Sequence, residues 1–439
     1  ISECGGVCIS RAAYDQVKEK LPYEYIYEGE QIGKNLKEPL RIYKVVIDSD
    51  TEAGKASDSE PMKLPDKPSI AVLPFDNLSG DPNQEYLADG ITEQIITGLS
   101  MMPYIFVIAR NSTFTYKGQP VKVQQVAQEM GVQYVLEGSV QQSGNRIRVT
   151  AQLIDALSGK HVWSERYDRM LEDIFAVQDE IMMSIMQAME VSLSGIGAFE
   201  NQPNPKSVEA YLKLLKAVEL VYRFTKDDNL MARKLSQEAI DIDPEYGMAY
   251  AQKGWTYVWR ALRGWSDDPD GALVIAGELG KKAISLGNTL GRMLLMIVYN
   301  LQNQNEKALA EGEKAFAILP NSSDLNLAFA RVLACVGRYE EAITRVKRAM
   351  RLNPYHQPFY FTILGSCYRI AGRFEEAIDA YEREVMLAPD TLIPWLALAG
   401  LYAALGREKE AKKATEQVHR MAPDYSWEKY GKIYHQFHD

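Results

Sequence analysis

The spacing of apolar residues predicts strands mixed with helices in the middle of the chain. Residues 69–75 form a short apolar run that ends in a turn sequence, which is typical of a buried strand. Residues 134–140 and 147–153 alternate between apolar and polar on either side of Ser143-Gly-Asn145, which predicts a hairpin with one buried face. Further strands are expected over 104–109 and 159–167, and helices over 91–101, 121–130 and 171–193, the first of them capped by Asp89. Together these elements predict a mixed α/β domain over residues 68–193.

The C-terminal region repeats itself with a period close to 34 residues. Four prolines are separated by 34, 35 and 34 residues, an alanine stands 12 residues before each proline, and three glycines stand five residues before an alanine. These are Pro320, Pro354, Pro389 and Pro423, Ala308, Ala342, Ala377 and Ala411, and Gly337, Gly372 and Gly406. Such a period fits two antiparallel helices and two turns. We therefore predict about five or six helix pairs over 207–423, stacked as an all-α superhelical solenoid.

Leu364-Gly-x-x-Tyr368, followed by the glycine, alanine and proline of the same unit, resembles the tetratricopeptide repeat. The resemblance implies a concave groove that is lined by the first helix of each pair and binds a protein partner. Aromatic side chains with an occasional arginine favour such binding. The residues predicted to line the groove are Trp255, Trp259, Met293, Asn300, Arg331, Phe359 and Arg369. The alternative is that some of them only pack between neighbouring helices.

Several separated motifs in residues 68–193 resemble the TolB amino-terminal-like (FlgO-related) domain. They begin at Ile70 (IAVLPF), Tyr86 (YLADGITE), Val107 (VIARNS), Tyr134 (YVLEGSV) and Val162 (VWSERYD). This family occurs in bacterial multidomain signalling proteins, usually just before tetratricopeptide repeats. The resemblance implies a partner-binding or structural module, and it carries over no catalytic residue.

The first 47 residues resemble the closing part of a class III adenylate/guanylate cyclase domain. The matching motifs begin at Gly5 (GGVCISR), Ala13 (AYDQV) and Gly29 (GEQIGKNLKEPLRIYKV). The residues themselves predict a strand over 7–10, a helix over 11–18 and two strands that end the segment at 42–47. In that family the metal-binding aspartates and the Asn…Arg pair lie upstream of the matched segment, so no catalytic residue and no cofactor is expected in this chain. Mg²⁺ or Mn²⁺ is expected for the intact parent, where Lys34 is the candidate nucleotide ligand. The alternative for Lys34 is a solvated loop lysine.

Polar and proline-containing stretches predict where these parts are joined. Residues 48–67 and 194–206 are expected to be linkers. Residues 424–439 are expected to form a capping helix, with Trp427, Tyr430 and Tyr434 covering the last pair. The chain begins with Ile1 rather than Met, which suggests a fragment or a processed product.

Composition narrows the classes of function. The net charge of −10 argues against a duplex nucleic-acid binder, which needs a basic face. No apolar run reaches the length of a membrane helix, and four cysteines are too few for a disulfide scaffold. We therefore expect a cytoplasmic protein with reduced thiols, no nucleic-acid partner and no membrane segment.

Three other features are candidate sites or interfaces. Asp76, Asp81 and Asp89 could hold a divalent ion, although caps and turn hydrogen bonds are the simpler explanation. Four arginines of the meander could form an anion-binding face, or the ordinary polar face of a half-buried sheet. They are Arg146, Arg148, Arg166 and Arg169. The apolar stripe of the helix over 171–193 could form a homodimer or pack on its own sheet.

The sequence thus predicts a non-catalytic, protein-binding regulatory region of a bacterial cyclic-nucleotide signalling protein. The alternative is an adenylate cyclase, converting ATP to cyclic AMP and pyrophosphate, when the upstream catalytic part is present. A third hypothesis is a free-standing repeat scaffold with a vestigial cyclase tail. The partner, the stimulus, the oligomeric state and the choice between ATP and GTP stay open.

Overall fold

The computed structural model describes residues 62–189 and 205–423 and, nearer the N-terminus, three strands. The chain divides into two compact units, Ile1–Met62 and the part from Lys63 onward. In the first unit, β1 (Val7–Ser10), β3 (Leu40–Val46) and β2 (Glu24–Gln31) form an antiparallel sheet in that order. The expected strand at 7–10 is confirmed. Lys34, the expected helix over 11–18 and the capping helix over 424–439 lie outside the described residues.

The second unit begins with the mixed α/β module that the alternation predicted. Its strands are β4 (Ser69–Val72), β5 (Asp76–Asn77), β6 (Phe106–Val107), β7 (Tyr134–Ser143), β8 (Arg146–Asp155) and β9 (Lys160–Met170). They lie in the order β6-β4-β7-β8-β9, and β5 also pairs with β7. The strand β4 is parallel to both of its neighbours, whereas β7, β8 and β9 form an antiparallel meander.

Helices cover both faces of this sheet. They are α1 (Glu85–Ser100), α2 (Arg110–Thr113), α3 (Val123–Met130) and α4 (Ile174–Ala188). Alternate residues of β4 belong to two different cores, because successive strand side chains point to opposite faces. Ile70 and Val72 pack in the core that contains α1 and α4, whereas Ala71 packs in the core that contains α3.

One sequence expectation about these helices was wrong, and one open choice is decided. Asp89 does not cap a helix over 91–101, because α1 already begins at Glu85 and Asp89 is a buried residue inside it. Of the two alternatives for the apolar stripe of α4, packing within this chain is the one observed, since its side chains are buried in the core. These residues are Ile174, Val177, Ile181, Ile185 and Met189.

After the module, residues 205–423 form six antiparallel helix pairs. The pairs are α5/α6 (Val208–Val221, Lys226–Ile242), α7/α8 (Gly247–Leu262, Pro269–Ser285), α9/α10 (Leu290–Leu301, Asn305–Ile318), α11/α12 (Ser323–Cys335, Tyr339–Leu352), α13/α14 (Phe359–Ile370, Phe374–Leu387) and α15/α16 (Leu392–Ala404, Glu408–Met421). The motif alanines Ala308, Ala342 and Ala377 are fully buried on second helices, where a small side chain lets the first helix approach closely. This all-α part confirms the predicted helix-pair solenoid.

The turn between the two helices of a pair requires a left-handed residue. Gly337, Gly372 and Gly406 take this conformation in the last three pairs, with φ between +72° and +82°. The third pair uses Asn303 at φ +58° and the first uses Phe224 at φ +53°. Left-handed backbone strains a bulky aromatic residue, so Phe224 must be held there by its surroundings.

The first helices lie on the inside of the solenoid's curve. Neighbouring first helices such as α7 and α9, or α11 and α13, contact each other directly. Within the described pairs, neighbouring second helices make no comparable contact. We call the side of the solenoid formed by α7, α9, α11, α13 and α15 the inner face.

Candidate functional site

Every residue predicted to line the groove lies on a first helix. Trp255 and Trp259 are on α7, Met293 and Asn300 are on α9, Arg331 is on α11, and Phe359 and Arg369 are on α13. Phe359 is 44% exposed, so a large apolar side chain faces solvent at the start of α13. The others are partly buried. Partner binding by these residues stays a prediction.

Trp259 holds the strained turn residue of the first pair. Its ring meets the ring of Phe224 edge-on, with 5.2 Å between the ring centroids. The Arg263 guanidinium lies 5.6 Å from the Phe224 ring centroid and 5.8 Å from that of Trp259. These aromatic and cation–π contacts offset the backbone strain at Phe224. Trp259 therefore packs between helix pairs, as the alternative explanation expected.

The C-terminal ends of α9, α11 and α13 carry polar side chains and thiols. The Asn300 side-chain amide donates to the Cys335 Sγ at 3.6 Å and to the Asn305 Oδ1 at 3.3 Å. Burial lowers the pKa of Arg331, and burial raises the pKa of the Cys367 thiol to about 12. The Cys367 thiol thus stays protonated and unreactive at neutral pH.

The chain's own module covers the start of α11, one of the helices of the inner face. Met101, which follows α1, belongs to the same apolar cluster as Leu325 and Phe329 of α11. The Asn321 side-chain amide, just before α11, donates to the Met102 carbonyl oxygen at 2.7 Å. We call residues 101–104 the inserted turn.

A polar cluster joins the module to the solenoid beside the inserted turn. The Arg110 guanidinium lies 3.7 Å from the Phe114 ring centroid and 4.3 Å from that of Tyr222. Its Nε is 3.4 Å from the Glu93 Oε2, and the Tyr222 hydroxyl donates to the Glu93 Oε1 at 3.3 Å. Burial raises the pKa of both Glu93 and Asp324, and the charge of Arg110 opposes the shift in each case.

Besides the inserted turn and the polar cluster, two larger contacts fasten the module to the solenoid. In the first, α1 and α4 share one apolar core with α5, and the Gln178 side-chain amide donates to the buried Tyr211 hydroxyl at 2.7 Å. A β-carbon at Gly90 would lie 2.4 Å from the Leu215 Cδ1, so α1 and α5 approach closely here and a larger residue would displace the Leu215 side chain. We call this the anchor contact.

The second contact, at the turn between α12 and α13, is largely polar. Arg351 donates to the carbonyl oxygens of Met130 at 3.0 Å and of Gly131 at 2.8 Å, which end helix α3. The Ser112 hydroxyl donates to the Asn353 Oδ1 at 2.5 Å and accepts from the Tyr355 amide at 2.9 Å. We call this the latch contact.

Further hydrogen bonds and one buried side chain belong to the latch contact. The Ala109 amide donates to the Leu352 carbonyl oxygen at 2.8 Å, and the Leu352 side chain is buried in the core that contains α3. The hydroxyls of Tyr355 and Tyr116 both donate to the Glu129 carboxylate. Tyr355 nevertheless keeps 43% of its surface exposed.

A cleft of about 420 Å³ opens between the module and the first pair. Tyr86, Leu220, Met231 and Leu235 form its apolar part, and charged side chains of both signs form its rim. The Lys216 ammonium lies 5.0 Å from the Tyr86 ring centroid. Nothing in the lining selects one class of ligand.

The other candidate sites are explained by local structure. Asp81 accepts from the Asn83 amide at 2.9 Å and caps a short 3₁₀ helix, whereas Asp89 pairs with Lys117 at 2.6 Å. Over 62–189 and 205–423, no three acidic, histidine or cysteine side chains are grouped as a metal site would require. Arg148 and Arg166 both pair with Asp168, so part of the predicted anion-binding face is neutralised.

Sequence reasoning missed the polar cluster and both module contacts. Glu93, Arg110, Tyr222 and Asp324 lie on separate elements, so no local spacing links them. The repeat pattern gave no signal at Phe224 either, because Phe224 stands eight residues before Ala232 whereas the turn glycines stand five residues before their alanines. Only its φ of +53° identifies Phe224 as the turn residue.

The described helices include none that is long and apolar enough to cross a bilayer. A family model described as the second domain of HilA/YgeH-like transcriptional regulators matches residues 66–184 of this chain.

Two relatives extend the likeness beyond the module. The chain is 41% identical over 287 residues to the Rhizobium meliloti protein named "Putative adenylate cyclase 3", covering 65% of this chain and 49% of that protein. It is 20% identical over 372 residues to the Salmonella typhimurium transcriptional regulator HilA, covering 82% of this chain and 64% of HilA. The chain therefore spans about half to two thirds of the length of these relatives.

Among solved structures, the Cut9 and Hcn1 hetero-tetramer of the APC/C is similar at a TM-score of 0.42 and 16% identity. This match covers 57% of the chain and 50% of that structure. A structural similarity at this level carries no argument about function.

Proposed function

We propose that residues 63–423 act as a protein-binding regulatory region and that the inner face takes a segment of a partner protein. The observation that carries the proposal is Phe359, a large apolar side chain left 44% exposed at the start of a first helix. Exposed aromatic side chains in a concave setting are typical anchors of protein recognition. Arg331 and Arg369 add positive charge on α11 and α13 of the same face.

A matched pair of phenylalanines tests this function. Phe359 begins a first helix and Phe374, 41% exposed, begins the second helix of the same pair. A photo-crosslinking amino acid at position 359 of the full chain should capture a partner in cells of the source organism, and the same amino acid at 374 should not. Equal capture at both positions would contradict binding at the inner face.

We further propose that this region belongs to a bacterial cyclic-nucleotide signalling protein in the cytoplasm. The support is the 41% identity to a protein named as an adenylate cyclase, together with the cyclase-like motifs of residues 1–47. The resemblance of the module to the TolB amino-terminal-like domain is part of the same proposal. The module also matches the second domain of HilA-like regulators, which favours a regulatory module shared by different kinds of signalling protein.

The second candidate function is adenylate cyclase activity of a longer protein that contains this chain. There the upstream aspartates would hold Mg²⁺ or Mn²⁺, and Lys34 would contact the nucleotide. Assays with manganese and ATP should show turnover for the chain joined to an upstream catalytic part and none for the 439 residues by themselves. Turnover by these residues without such a part would contradict the assignment of the catalytic groups to the upstream part.

A further inference from the structure

We propose that the latch contact opens while the anchor contact stays closed, and that this opening uncovers the inner face for the partner. The inference rests on the proposed function, because it names how binding at the same face is regulated. It follows from the unequal chemistry of the two contacts and from the position of the inserted turn.

The anchor contact cannot open without breaking a core. Leu214 and Leu215 of α5 are buried with Ile181 and Ile185 of α4 in one continuous apolar cluster. Separating them would expose this apolar surface to water, and the unfavourable free energy grows with the area exposed. The module and the first helix pair therefore move as one body.

The latch contact separates more readily, because water can replace most of the hydrogen bonds that are lost when it opens. It consists mainly of hydrogen bonds from Arg351, Ser112, Ala109 and Tyr355, and their groups can bond to water once apart. Leu352 is its deeply buried apolar side chain. Partial exposure of Tyr355 already gives water access to the rim.

The opening requires no hinge in the module. The anchor lies at the first helix pair and the latch at the junction of the fourth and fifth, so the pairs between them form the connection. A solenoid changes its curvature through small rotations shared among neighbouring pairs. Straightening of these pairs would draw Leu352 away from α3 and Asn321 away from the Met102 carbonyl.

Opening changes the inner face at the place where the proposed partner binds. Met101 leaves the apolar cluster that it shares with Leu325 and Phe329, and the start of α11 becomes accessible. Phe359 lies four residues after Tyr355, so the exposed phenylalanine side chain is close along the chain to the latch contact. A partner segment that reaches from Phe359 toward α11 therefore competes with the inserted turn.

Hydrogen exchange of the full chain tests the latch without any partner. Arg351→Ala removes the bonds to the carbonyl oxygens that end α3, and these are bonds from a charged group. We expect exchange in residues 105–113 and 352–358 to rise by roughly tenfold or more. Exchange in residues 208–218 of the anchor should not change. A parallel rise in all three segments would show one cooperative opening and would overturn the proposal.

Two further variants keep this test interpretable. Arg420→Ala removes an exposed ion pair to Asp390 in the last helix pair, and it should leave exchange at the latch unchanged. If Arg351→Ala does not fold, Ser112→Ala opens the same contact from the module side. Unchanged exchange at the latch in both folded variants would also overturn the proposal.

Crosslinking at position 359 separates the latch from the proposed function. If the binding function and its regulation by the latch are both correct, Arg351→Ala increases partner capture at position 359. Capture that is equal with and without Arg351→Ala supports the binding face and overturns regulation by the latch. If exchange reports opening but capture at 359 never exceeds that at 374, the latch stands as a conformational device and the binding function fails.

Discussion

The first and last helix pairs follow one sequence pattern but are stabilised differently. In the last three pairs, a glycine makes each turn, and stacked neighbours supply the contacts. In the first pair, Phe224 makes the turn and the apolar side of α5 is buried against α1 and α4 of the module. The comparison teaches that the first repeat is part of the module's core, whereas the last repeats pack mainly against one another and meet the module only at the inserted turn and the latch contact.

Two buried tyrosines test this difference most strongly. Tyr211 in the first pair is 2% exposed and Tyr381 in the fifth is 1% exposed. Replacing either by alanine should lower the free energy of unfolding by about 3–5 kcal/mol. With Tyr211→Ala, the module and the first pair should lose hydrogen-exchange protection together. With Tyr381→Ala, the loss should be confined to the last pairs, and loss in the module as well would contradict the comparison.

A single methyl group at the anchor contact should have the next largest effect. In Gly90→Ala the new β-carbon would lie within 3 Å of three Leu215 side-chain atoms, so the buried Leu215 side chain or the two helices must shift. We expect the free energy of unfolding to fall by about 1–3 kcal/mol. The control is Gly400→Ala in α15, where no atom lies within 4 Å and a helical alanine should stabilise the chain by up to about 1 kcal/mol. Equal effects of the two changes in urea denaturation would show that the anchor is not tightly packed.

A buried carboxyl in the fifth pair should make stability depend on pH. Glu384 is 1% exposed, stands five residues before Pro389 where the preceding repeat has Ala349, and accepts a hydrogen bond from Thr362. Burial raises the pKa of Glu384, although the Thr362 hydrogen bond opposes the shift. Between its unfolded pKa and this raised value the folded chain holds more protons, so stability falls as the pH rises.

Glu384→Gln should remove that dependence. As the pH rises above the unfolded pKa of this carboxyl, the wild-type chain should lose more stability than the variant. Glu376→Gln is the matched control, because the hydrogen bond from Arg373 lowers the pKa of Glu376 and its stabilising effect is lost in the opposite direction, as the pH falls. Identical pH profiles for wild type and Glu384→Gln, measured by urea denaturation, would refute the assignment.

The smallest effect is expected for the ion pairs that connect the last pairs. Arg338, Arg373 and Arg407 follow the turn glycines and reach Glu313, Glu340 and Glu375 in the preceding pair. These side chains are exposed and screened by salt. Arg373→Ala should therefore change thermal stability slightly at low salt and not at all at high salt. A large change that salt does not reduce would mean that the guanidinium packs rather than pairs.

Local patterns predicted most of the secondary structure because each pattern acts within one element or one repeat. The hairpin around Ser143-Gly-Asn145 and the helix pairs of the proline–alanine–glycine register follow from turn chemistry and from burial of one face. The position of the groove residues on first helices follows from the same register. The start of α1 was mispredicted because Asp89 can be read as a cap, whereas its carboxylate pairs with Lys117 inside the fold.

The sequence by itself determined that this protein has an α/β module followed by stacked helix pairs, since hydrophobic periodicity and left-handed turn residues act over a few neighbours. Only the tertiary structure decided that the module is fastened to the solenoid at the anchor contact, at the latch contact and beside the inserted turn. That outcome depends on pairs such as Gly90 with Leu215 and Ser112 with Asn353, which are more than one hundred residues apart. Such pairs leave no period in the chain, because their complementarity exists only after both elements have folded and met.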